Sequence, residues 1–274
     1  MKVIEKQIVA KTGRPETCED YYVVNEHFVC VIDGATNVSG RLIDGKTPGQ
    51  LISQLIGQVM QDMPEQAEIE QIIATINEEL TAYYRKQGIY EELAQTPYLA
   101  PAASMVIYSS YHKMIWLVGD CQCMVDNTTH TNPKEIDDIT AAARSLFLES
   151  EIQRGRTVEE LLEKDTGFEF IMPLIQKQYF LQNKEGNQYG YEVVNGFSML
   201  MERIKAIPVP ADAEHLIFAS DGYPELRDNL IETEEYLKEI LATDPLCFRK
   251  YKSAKGLQRG YVSFDDRTYI KVAL

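Results

Sequence analysis

Residues 215–226 read HLIFASDGYPEL, and residues 263–274 read SFDDRTYIKVAL. The first stretch is a short apolar run that stops at Asp221-Gly222. The second is an acidic pair, Asp265-Asp266, followed two residues later by the run TYIKVAL. Runs of this length, rich in Ile, Val, Phe and Tyr, read as strands. Three more places along the chain repeat the arrangement. Glu19-Asp20 directly precedes YYVVN, Asp33-Gly34 directly follows HFVCVI, and Gly119-Asp120 follows KMIWLV. A carboxylate at a strand end is held by a rigid element yet opens onto a cleft. Taken singly, an Asp-Gly pair is usually a turn. Five acidic motifs at strand ends point to one converging cluster.

Converging carboxylates repel one another, and a divalent cation removes that cost. Mg²⁺ and Mn²⁺ prefer oxygen ligands. Two such ions about 4 Å apart activate a shared water and neutralise a phosphoryl group during in-line attack.

The rest of the chain supplies the frame. Residues 2–10 and 21–33 read as strands, the latter a hairpin split at Glu26. Residues 46–63 and 66–86 have helical spacing. Leu51, Leu55, Ile56 and Val59 form one face of the first helix, and Ile69, Ile72, Ile73, Ile76 and Leu80 line the second. Pro64 separates them. Tyr98 to Pro101 is a loop. Three strand-like runs follow: ASMVIYSS, KMIWLVG and QCMVD. Residues 133–183 read as helical with a break at Gly155 or Gly167. Further strands are predicted at 190–194, 215–220 and 268–274, and further helices at 232–242 and 245–251. Strands and helices come in blocks, which argues for α+β layers with antiparallel sheet rather than a regular βαβ sheet. No linker divides the chain, so one domain over 1–274 is expected, with a helical insertion at about 130–200.

Composition narrows the function. The 274 residues carry a formal net charge of -15, which repels phosphate backbones and anionic lipid, so neither nucleic acid nor membrane is expected as a partner. The N-terminus lacks the apolar core of a signal peptide, and no run of about 18 apolar residues occurs; a cytoplasmic location is expected. Five cysteines at irregular spacing (18, 30, 121, 123 and 247) do not form a disulfide framework. Cys121-x-Cys123 reads as alternate residues of a strand. Cys18 beside Glu19-Asp20 would be a poor thiolate. The four histidines are scattered, with no i, i+4 pair.

The ordered set CEDYYVV, VCVIDGAT, GDCQ, IFASDGYPEL and SFDDRTYIKV resembles the metal-dependent protein phosphatases of the phosphatase 2C family. There the patterns read roughly N-E-D, D-G, G-D-S-R, S-D-G and D-N-x-T. The motifs span residues 14 to 274. The resemblance implies a four-layer sandwich: two antiparallel β-sheets flanked by helices. It implies that Asp33 bridges two Mn²⁺ or Mg²⁺ ions, that the Gly34 carbonyl holds one, and that Asp221 and Asp265 hold the other. Glu19 and Asp20 would bind metal directly or through water, and Asp120 would support a third, weaker ion. Arg14 lies near the family's phosphate-binding arginine. The implied activity is hydrolysis of phosphoserine or phosphothreonine on a phosphorylated protein by activated water. The resemblance implies Asp33 and Asp221 as the central catalytic groups, with Arg14 as phosphate clamp. Four departures stand out. Arg14 is six residues before Asp20, one more than the common spacing. Ala35-Thr36 replaces the loop that carries a His general acid in some members. GDCQ replaces GDSR, and Asp266 replaces Asn.

Two other readings follow from the residues. A nucleophilic-Asp phosphatase would want a second Asp two positions after Asp33, where Ala35 stands. A pseudophosphatase would keep the fold as a regulatory binding module without turnover. Nothing in the sequence determines an oligomeric state.

Overall fold

The computed structural model describes residues 1–274. Strands β1 (Lys2–Val9), β10 (Arg267–Ala273), β9 (His215–Ala219), β6 (Gln122–Val125) and β7 (Thr128–His130) form one sheet in that order. Strands β2 (Tyr21–Val24), β3 (Phe28–Gly34), β4 (Ala103–Ser109), β5 (Met114–Val118) and β8 (Lys205–Pro208) form the other. All neighbouring strands are antiparallel. The expected α+β sandwich is the observed fold.

The continuous apolar character of the central strands has a direct cause: both faces are covered. In β3, Val29 and Val31 point between the sheets, where they meet Val106, Tyr108, Phe218, Ile270 and Val272. The alternate residues Phe28, Cys30 and Ile32 pack outward under α1 (Pro48–Gln61) and α2 (Ile69–Lys86). On the opposite outer face, Met124, Ile217 and Tyr269 pack against Leu237 of α7 (Leu230–Thr243). Helix layers therefore sandwich the two sheets.

Helix α1 starts where a capping box forms. The Thr47 hydroxyl accepts from Gln50 N, and the Gln50 side chain accepts from Thr47 N. Its buried face includes Ile52 and Met60, so it is rotated from the expected one, and Leu55 and Val59 are only partly buried. The expected face of α2 is buried in full. Short α3 (Tyr90–Gln95) follows.

Between β7 and β8 lie α4 (Glu135–Gln153), α5 (Val158–Glu163) and α6 (Thr166–Gln178). The helical break falls at Gly155 rather than Gly167, which sits in the first turn of α6. Ile136, Ile171 and Ile175 pack on Val38 and Ala102, so these helices sit against the loop after β3 and the start of β4.

Two expected elements are absent. Residues 190–194 make only isolated bridges, Val194 with Ala103 and Tyr191 with Gln182. The Asn183 side chain takes both the N–H and the carbonyl of Val193, leaving no ladder to extend. Residues 245–251 form a turn rather than a helix. The Asp244 carboxylate accepts from the backbone N–H groups of Phe248, Arg249, Lys250 and Tyr251 and so replaces the helical acceptors. Strands β7 and β8 lacked a sequence signal: one is three polar residues, and the other ends in a proline tolerated at a sheet edge.

Candidate active site

Antiparallel pairing puts alternate strand ends on one side of the sandwich. The end of β3 pairs with the start of β4, with Asp33 opposite Ser104. The end of β9 lies beside the start of β10, and the end of β1 reaches Arg267. Asp120 after β5, Asp221 after β9, Glu19-Asp20 before β2 and Asp265-Asp266 before β10 all emerge at this end. Gly34 permits part of the convergence. A Cβ there would collide with the carbonyl oxygens of Gly49 and Glu19, so only glycine lets three backbone segments meet.

A cleft of about 350 Å³ opens over this end, and Asp33, Asp120, Asp221 and Asp265 line it. Glu19 and Asp20 are buried behind its wall, each 4% exposed. Arg14 does not join them. It is exposed, precedes a short 3₁₀ turn, and lies outside the cleft lining.

Three lysines that no motif announced hold part of the cluster. The Lys11 ammonium donates to Glu19 Oε2 at 3.0 Å and Asp265 Oδ1 at 3.3 Å, and lies 3.3 Å from Asp266 Oδ2. The Lys255 ammonium donates to Asp265 Oδ2 and, at 2.7 Å, to Thr36 Oγ1. The Lys134 ammonium is 2.6 Å from Asp120 Oδ2, whose other oxygen accepts from the Ser104 hydroxyl. Thr47 completes Glu19 by donating to Oε1 at 2.6 Å. Asp266 is a strut: it accepts from the backbone N–H of Lys11 (2.7 Å) and of Glu19 (3.1 Å), tying both segments to β10.

The remaining carboxylates have no cation of their own. Neither Asp33 nor Asp221 has an ion-pair partner among the lysines and arginines. Burial, then the charges of Asp221, Asp20 and Asp120, push Asp33 well above the usual carboxylate range. Burial, then Asp120 and Asp265, push Asp221 up to about 7. Asp20 is pushed up to about 8 by burial and Asp266, against hydrogen bonds from Ser220 and Thr268. Both hydroxyls donate to Oδ2, at 2.7 and 2.8 Å, and Oδ1 is buried without a partner. The lysine-held carboxylates behave oppositely. Burial would raise Asp265, but Lys255 and Lys11 bring it below its ordinary value. Lys134 does the same for Asp120. The Cys18 thiol is raised strongly by burial and Asp20, as its acidic neighbours led one to expect.

The implied divalent ion can be tested against these donors. No group of three His, Cys, Asp or Glu side chains is arranged to hold one ion as the chain stands. A pair of carboxylates with no cation partner, facing a polar cleft, does suit a hard ion that keeps most of its waters. Asp33 and Asp221 are that pair, and the Asp20 oxygen without a hydrogen-bond partner is an unmet polar group behind it.

No family model and no curated protein matches the sequence. Solved structures do match. The serine/threonine phosphatase Stp1 from Staphylococcus aureus aligns over 100% of this chain and 95% of its own, at 14% identity and a TM-score of 0.50. The fold is shared with bacterial phosphatases. A point variant of a bacterial serine phosphatase aligns over 98% of this chain and 96% of its own, at 13% identity and a TM-score of 0.50. The PstP catalytic domain, solved in complex with two manganese ions, aligns over 98% of this chain and 97% of its own, at 12% identity and a TM-score of 0.47. No helix of the chain is long and apolar enough to cross a membrane.

Proposed function

We propose that this chain hydrolyses phosphomonoesters, phosphoserine or phosphothreonine on proteins, in the cleft at the strand ends, and needs Mn²⁺ or Mg²⁺ to do so. The observation that carries the reading is the Asp33–Asp221 pair, two carboxylates lining one cleft with no lysine or arginine within ion-pair distance of either, and both raised by burial and by the acids around them. The shared fold supports it. Asp33 and Asp221 would hold the ion, with the Gly34 carbonyl at the same strand end. Such an ion lowers the pKa of water and offsets charge on a phosphoryl group.

The chain's own residues have separate tasks. Lys134 and Lys255 line the cleft and supply positive charge to a phosphate in an otherwise acidic surround. They take the clamp role that Arg14, exposed outside the cleft, does not fill. Lys11, Asp266 and Thr47 fix Glu19 and Asp265, and Ser104 fixes Asp120. Hydrolysis of para-nitrophenyl phosphate and a phosphothreonine peptide, with Mn²⁺ titrated against EDTA, tests the reading. Turnover that rises with Mn²⁺ and disappears in Asp33→Asn is expected. A folded protein without turnover at any Mn²⁺ or Mg²⁺ concentration would instead support the pseudophosphatase reading, which the lysine-held Asp265, Glu19 and Asp120 favour.

A further inference from the structure

Apart from lysine-held Asp120, the acids of the cluster fall into two sets. Glu19, Asp265 and Asp266 share Lys11 and Lys255. Asp20, Asp33 and Asp221 share no lysine or arginine within ion-pair distance, and one oxygen of buried Asp20 has no hydrogen-bond partner. Two ammoniums supply the charge of one divalent ion. We infer that Lys11 and Lys255 are a built-in substitute for a second cation, so that the centre takes one divalent ion, on the Asp33–Asp221 side.

The Lys255 ammonium is not a loose surface charge. Its segment is fastened on both sides. Fully buried Arg144 donates from Nη1 to the carbonyls of Leu246 (2.8 Å), Cys247 (3.2 Å) and Ser253 (3.1 Å). Its Nη2 and Nε bind the Asp165 carboxylate, and Asp165 Oδ2 also accepts from Gly256 N at 3.3 Å. Ser253 and Gly256 flank Lys255. A Cβ at Gly256 would lie 2.7 Å from Arg144 Nη2 and 2.6 Å from the Leu246 carbonyl oxygen, so the close approach needs glycine. Asp244 gathers the backbone N–H groups from Phe248 to Tyr251. Lys11 is anchored likewise, through its own N–H on Asp266. A pinned ammonium loses little conformational entropy on meeting its carboxylate. It therefore competes well with a hydrated ion that must shed water to bind Asp265.

The inference rests on Asp33 and Asp221 as the ion's ligands, but its test does not use turnover. Mn²⁺ binding is measured on the full chain by calorimetry and by the electron paramagnetic resonance of bound Mn²⁺. The parent should take one ion per chain, with a six-line mononuclear signal. Lys255→Met should raise the count to two and bring in the spin coupling of a paired site, while Lys255→Arg, which keeps the charge, should stay at one. Lys11→Met serves as the second opening variant and should move the count the same way. A parent that binds two ions, or none, overturns the inference; so does a count of one that survives both methionine variants. One ion bound without hydrolysis would leave the inference standing and sink the hydrolase reading alone.

Discussion

Two buried ionic groups, within one fold, are built on opposite rules. Around Arg144 every charge is met: the guanidinium serves Asp165 and three carbonyls, and Asp165 also caps α6 through Phe168 N. At the strand ends, Asp33 and Asp221 share a cleft with no cation of their own, and Asp20 keeps a buried oxygen without a partner. Burying charge is costly in both places. The first site recovers that cost within the chain and acts as a rivet. The second leaves it unrecovered, which is the condition for binding something from outside. Satisfied charge marks structure here, and unsatisfied charge marks the candidate site.

The sharpest way to break the contrast is Arg144→Met. It strands Asp165 in the interior and should cost about 3–5 kcal/mol, read from the urea midpoint. A loss below about 1 kcal/mol would place the pair with ordinary surface pairs. Asp221→Asn should do the reverse. It should lower hydrolysis at least ~100-fold, about 2.7 kcal/mol of barrier. In EDTA it should raise the melting temperature, because Asp33 loses a repelling neighbour. A variant that keeps its activity, or melts lower in EDTA, would show that the pair is structural after all.

A partly buried ion pair away from the cleft sharpens the contrast through pH. Arg267 binds Glu234 at 2.7 and 3.1 Å. Burial would raise Glu234, but hydrogen bonds from Arg267 and Tyr223 bring it below its ordinary value of 4.5. Its folded pKa lies below its unfolded one, so the stabilisation is complete above about pH 4.5 and is lost as pH falls through the folded value. Glu234→Gln should cost about 2 kcal/mol at pH 7. The difference from the parent should shrink as the solution is acidified, in parallel urea titrations. A difference that stays constant with pH would exclude the charge as its source. The smallest effect expected is that of Thr47→Val, which removes the α1 cap and one partner of Glu19, for ~1 kcal/mol by thermal unfolding.

Much of this contrast was legible beforehand on one side only. The motif carboxylates Asp33, Asp120, Asp221 and Asp265 reach one cleft because each follows or precedes an apolar run, and antiparallel pairing collects those ends. The run at 190–194 misled because burial alone gives an apolar pattern, whereas Asn183 diverts the backbone from pairing. The stretch 245–251 misled because helical composition cannot register the Asp244 carboxylate competing for its N–H groups. Arg14 enters only through the family resemblance, at one residue more than the common spacing from Asp20, and it is exposed at the start of a 3₁₀ turn.

What the sequence determined by itself was the layered α+β frame and the acidic residues at its strand ends. Hydrophobic periodicity and turn chemistry are local properties, so they can be read from neighbours in the chain. What only the tertiary structure decided was which carboxylates receive an ammonium. Lys11, Lys134 and Lys255 arrive from three separate segments, and a lysine's long side chain carries no periodic signal. Its target is set by bonds such as those of Arg144 to residues more than one hundred positions away, and such bonds exist only once the chain has folded.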